Sequence, residues 1–140
     1  MAHPDLDRLV DFCVKFAQDQ LKKRGAFYPF AATVWPSGEL TPLAIYSGDD
    51  SPKPQALIDE FTELLKNLAQ SGEAHATALC YDSRVSTAGN QSEKKDAIAV
   101  SLEHSNGEAV IVYLPYRKKL FGGYNYDSII GVAGGRKFFT

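Results

Sequence analysis

Cysteine is scarce in this chain: the two that occur, Cys13 and Cys80, stand among apolar neighbours without a CxxC partner. That argues against a disulfide framework or a thiolate zinc site, and both residues read as small buried hydrophobes. Long apolar runs are missing as well, since nothing approaches the roughly 18 residues a membrane-crossing helix needs. The opening Met1-Ala2-His3-Pro4-Asp5 carries neither the basic nor the apolar region of a secretory signal. A cytoplasmic protein with no membrane partner is therefore expected. Nor is there an excess of positive charge. With a formal net charge of -2 and a pI near 5.9, nothing draws the whole chain to nucleic acid, which binds through clustered Lys and Arg.

What is present is the composition of a globular protein. At 44% hydrophobic and 23% charged, the chain lies far from the polar, highly charged sequences that stay unfolded. Its 140 residues suit one domain, residues 1–140, with one core.

From Asp5 to Arg24, the apolar residues Leu6, Leu9, Val10, Cys13, Phe16, Ala17 and Leu21 recur at helical spacing. Asp5 and Asp7 suit the positive end of the helix dipole, Lys22, Lys23 and Arg24 the negative end, and Gly25 can stop the helix in a left-handed conformation. Phe27–Trp35 and Leu40–Tyr46 read as a hairpin about the turn Pro36-Ser37-Gly38-Glu39. Pro29 and Pro42 belong at strand ends or on an open edge, because proline cannot donate to a ladder.

After the breaker cluster Gly48–Pro54 a second amphipathic helix is expected, with Leu57, Ile58, Phe61, Leu64, Leu65 and Leu68 on one face until Ser71-Gly72. Ala74–Val85 and Asp96–His104 read as strands separated by a polar stretch, and Asn106-Gly107 as a tight turn into a strand over Ala109–Tyr116. Gly122–Tyr126 reads as a loop, and the tail as a last strand or short helix. The expected fold is α+β: a five- or six-stranded antiparallel sheet with both helices on one face, in the order α-β-β-α-β-β-β.

Alternation in the later strands leaves Ala97, Ala99, Ile111 and Tyr113 on the face turned away from those helices. Small apolar faces of this kind are usually covered. A second copy of the chain, a partner protein or the C-terminal tail would each serve.

The element order resembles that of profilin-like and roadblock-type domains, many of which are adaptors and dimerising scaffolds. Segments Arg24–Ala31, Gly38-Glu39, Tyr81–Val85 and Tyr113–Arg117 are similar to parts of a group of small bacterial proteins with no assigned activity. The resemblance spans roughly residues 24 to 118. It implies a bacterial cytoplasmic protein and transfers no functional residue.

Catalytic signals are weak. His3, His75 and His104 form no HxxxH or HExxH pair, Ser128 beside Asp127 has no base, and Asp49-Asp50 suits a turn better than a metal. Gly134-Gly135-Arg136-Lys137 lacks the preceding strand of a phosphate loop. No catalytic residue, metal or cofactor is assigned.

The strongest binding candidate is a basic and aromatic cluster: Tyr113, Tyr116, Arg117, Lys118 and Lys119, with Arg84, Lys94 and Lys95 as further members. From residue 111 onward five basic residues stand against one acidic. Arg84 pairing with Asp82 or Asp96 is the competing assignment. Tyr28, Phe30, Trp35, Tyr46 and Tyr81 are core aromatics or, alternatively, a pocket lining. The first functional expectation is a non-catalytic protein–protein interaction module, an adaptor or immunity-like protein that pairs with another protein or with itself. The alternative is a small anionic ligand held by Arg84, Arg117 and tyrosines. Nucleic acid is the least favoured partner.

Overall fold

The computed structural model describes residues 3–44, 52–87 and 90–140, without the side chains of residues 87 and 90–93. Tyr46, Asp49 and Asp50 lie outside the described residues.

Helix α1 spans Pro4–Arg24. His3 caps its start, with Nδ1 accepting the Asp5 N–H at 3.0 Å. At the other end Gly25 adopts φ 75° and donates its N–H to the Leu21 carbonyl at 2.8 Å, the left-handed stop that only glycine takes without strain. The periodic stripe is buried at Leu6, Leu9, Cys13, Ala17 and Leu21. Strands β1 (Phe30–Val34) and β2 (Leu40–Leu43) form the expected hairpin. Pro42 sits in β2, the edge strand of the sheet, where its missing N–H costs no ladder bond. Helix α2 spans Pro54–Gln70 with no side-chain cap at its start. It is held by burial of Leu57, Phe61, Leu65 and Ala69.

The remaining strands are β3 (Ala76–Thr87), β4 (Asn90–His104), β5 (Ala109–Lys118), β6 (Tyr124–Tyr126) and β7 (Ile130–Ala133). All pair antiparallel in the order β2-β1-β3-β4-β5-β6, and β7 also pairs with β5. The sheet thus has seven strands, against the five or six expected. β6 accounts for the excess, because it follows the glycine pair where a loop was expected. The polar stretch after Val85 adds length instead, continuing β3 to Thr87 and starting β4 at Asn90. β6 and β7 divide the outer edge of β5 between them, β6 against Tyr116–Lys118 and β7 against Val110–Tyr113.

The expectation of both helices on one face is corrected. α1 packs on Ala32, Val34, Ala76, Ala78, Cys80, Ile98, Val100 and Leu102, whereas α2 packs on Ala31 and Leu79. Successive strand residues point to opposite faces, so the sheet lies between the helices. The cause is visible in β1 and β3, which bury small apolar or threonine side chains on both faces. Each face therefore needs its own cover.

The C-terminal tail completes the α2 side. Phe138 is fully buried beside Leu57, Leu65 and Leu79. It is held there by the buried Glu103 carboxylate, which accepts the backbone N–H groups of Lys137, Phe138 and Phe139 at 2.9–3.2 Å. Among the described residues no helix is long and apolar enough to cross a membrane.

Candidate functional sites

Both halves of the expected interface lie on the α2 side of the sheet, and they fare differently. Ala97 and Ala99 are fully buried. They cannot present a surface, because this face is already covered within the chain. Ile111 and Tyr113 stay half-buried. Their cross-strand partners in β7 are Val132 and Ile130, which are 43% and 40% exposed. Paired residues share a face, so Ile111, Tyr113, Ile130 and Val132 form an apolar patch beside the outer edge of a short strand. The sequence hid half of this patch, since β7 was legible only as a tail with an Ile129-Ile130 pair.

The basic cluster gathers at one end of the sheet, but its members diverge. Tyr116 pairs with Asp96, and Asp96 with Arg84, so Arg84 and Tyr116 share the α1 face. Arg117, next in the strand, points to the other face, so Arg84 and Arg117 do not converge on one ligand. Arg84 meets the Asp96 carboxylate at 3.4 Å and Lys95 meets Asp127 at 2.7 Å; the first is the competing pairing. Arg117, Lys118, Lys119 and Lys94 are exposed.

Tyr116 is not a surface ligand either. Its ring is buried in the α1 core, and its hydroxyl donates to Asp82 Oδ1 at 2.9 Å. Burial, then this bond to an acceptor carboxylate, pushes the phenol well above its ordinary range. Burial also raises Asp82, a shift that the Tyr116 hydroxyl partly offsets.

A cavity of about 480 Å³ opens where the β1–β3 ladder ends at Phe30 and Cys80 while β3 runs on. It is lined by Gln20 and Arg24 of α1, Phe27 and Tyr28 of the connection to β1, Ile58 of α2, and Tyr81 and Asp82 of β3. Burial, then Tyr113, raises the Tyr81 phenol. Tyr28 and Tyr81 thus do line a cavity. Arg24 enters from the end of α1, where sequence reading credited it only with helix-dipole stabilisation. The site has apolar walls, one cation and one carboxylate, which suits an apolar molecule with a polar end.

The donor atoms of His3, Asp5 and His104 lie within 4.8 Å of one another. Their hydrogen bonds nonetheless argue against a metal. His104 Nδ1 accepts the Asn106 N–H at 3.0 Å, which places the ring proton on Nε2, and that nitrogen donates to Asp5 Oδ2 at 3.1 Å. A metal at Nε2 would require the proton on Nδ1, facing an amide N–H. The cluster instead ties the start of α1 to the β4–β5 turn. Cys80 is buried beside Cys13, and burial raises its thiol well above the usual range, the opposite of what a nucleophile needs.

No protein-family model, curated protein or solved structure matches the chain.

Proposed function

We propose that the chain is a cytoplasmic, non-catalytic interaction module, of the adaptor or immunity-protein kind, that pairs with a second copy of itself through β7 and its adjoining patch. The observation that carries this reading is the placement of Ile111, Tyr113, Ile130 and Val132 on one face, beside the outer edge of β7. A strand edge offers unpaired N–H and C=O groups. Antiparallel pairing of β7 with another β7 satisfies the two-fold symmetry of a homodimer, and the four apolar side chains would then meet their counterparts. Light scattering on wild type and on an Ile111→Lys, Tyr113→Glu double variant tests this. The reading expects a wild-type dimer and a folded monomeric variant; a monomeric wild type at high concentration contradicts it.

A second reading rests on the cavity. Arg24 among Phe27, Tyr28 and Tyr81 supports binding of a small molecule with an anionic group and an apolar body. This replaces the site built on Arg84 and Arg117. A rise in melting temperature with aromatic carboxylates, absent in Arg24→Gln, is the expected result.

A further inference from the structure

The hairpin joining β5 to β6 ends in a finger unlike any other described part of the surface. Lys119 N–H bonds the Gly123 carbonyl at 2.9 Å. Gly122 and Gly123, at φ 93° and 79°, make a turn that throws Leu120 and Phe121 outward. These two side chains are 90% and 95% exposed. Large apolar residues so fully hydrated at a loop tip bury nothing for the fold, so folding alone does not account for them.

Unpaired cations crowd the finger. Arg117, Lys118 and Lys119 lead into it, and Lys94 leaves the β4–β5 ladder at the same end. Lys22 of α1 lines a groove with Gly123 and Tyr124 at its base. None of these five forms an ion pair with a described carboxylate. The chain carries a net charge of -2, yet the finger is locally basic, because the nearby carboxylates of Asp96 and Asp127 are paired with Arg84 and Lys95.

We infer that the finger docks the protein on an anionic lipid surface, with Leu120 and Phe121 entering the acyl boundary and the five cations meeting the headgroups. Neither side chain lines the groove at the base of the finger; they offer apolar area without a recess of their own, and a bilayer interior asks for apolar area and no shape. An anionic surface also attracts the unpaired cations that flank the two side chains. Such a module lies on the membrane without crossing it, and anionic headgroups are characteristic of the cytoplasmic leaflet. The surface is separate from the β7 patch.

Co-sedimentation with phosphatidylcholine vesicles, with and without phosphatidylserine, is the test. Wild type is expected to bind the mixed vesicles, to ignore phosphatidylcholine alone, and to weaken as salt rises. L120S/F121S should lose roughly tenfold or more in partitioning, and K118Q/K119Q roughly fivefold per charge. These positions are exposed, so unchanged thermal melting confirms that the variants fold. An Ile111→Lys monomer should still bind the mixed vesicles, more weakly if pairing had presented two fingers, and should still lose that binding when combined with L120S/F121S. Wild type that binds neither vesicle, binds both equally, or binds as well after L120S/F121S overturns the inference.

Discussion

The Glu103 carboxylate accepts the Phe138 N–H through both oxygens, at 3.0 and 3.2 Å, across 35 residues of chain. Both groups are buried, so this contact, with its neighbours at Lys137 and Phe139, seats the C-terminal segment. Glu103→Gln puts an amide NH2 against backbone donors. It is expected to cost about 2–3 kcal/mol, the worth of a charge-assisted bond together with an unsatisfied buried donor. Glu103→Ala should also free the tail to proteolysis between Gly134 and Thr140. Urea denaturation and limited digestion check both; wild-type stability in Glu103→Gln would contradict this role.

Much of the frame was legible for physical reasons. The stripe Leu6–Leu21 with Gly25 behind it states a helix and its end, and Asn106-Gly107 states a turn. What failed were inferences needing long-range pairing. Residues 86–87 and 90–95 look like a polar loop because hairpin arms extending past the core have no apolar face to alternate. Tyr124–Tyr126 is too short to show a period. The side taken by α2 was encoded more openly: Ala31–Val34 is apolar or threonine at every position, the mark of a strand covered on both faces. Glu103 carried no local signal, because the N–H groups it serves lie at the far end of the chain. Of the candidate surfaces, Ile111 and Tyr113 were readable as half of the β7 patch, whereas Arg24 in the cavity was not.

Asp82 and Tyr116 give a pH dependence with a definite sign. Burial raises the Asp82 carboxyl above its unfolded value, so the folded state holds this proton more tightly. The stability it lends is present in acid and is lost as pH rises through the folded value. Asp82→Asn removes that loss while keeping an oxygen for the Tyr116 hydroxyl. Its stability relative to wild type should therefore be highest at neutral pH and converge with wild type in acid. Tyr116→Phe withdraws the hydroxyl that holds Asp82 down and should cost about 1 kcal/mol at neutral pH. Thermal melts across pH measure both, and a relative stability of Asp82→Asn that does not vary with pH contradicts the assignment.

The His104 network makes a prediction about metals. Because Nδ1 accepts the Asn106 N–H and Nε2 donates to Asp5, added zinc should leave the melting temperature unchanged. A rise that disappears in His104→Ala would show that the rings reorganise into a metal site.

The central claim is that the outer edge of β7 pairs with a second β7. Hydrogen exchange of the β7 amides that face away from β5, measured from dilute to concentrated protein, tests it most directly. Protection that grows with concentration at Gly131 and Ala133, and is lost in the Ile111→Lys, Tyr113→Glu variant, is the predicted result. Fast exchange at every concentration would contradict it.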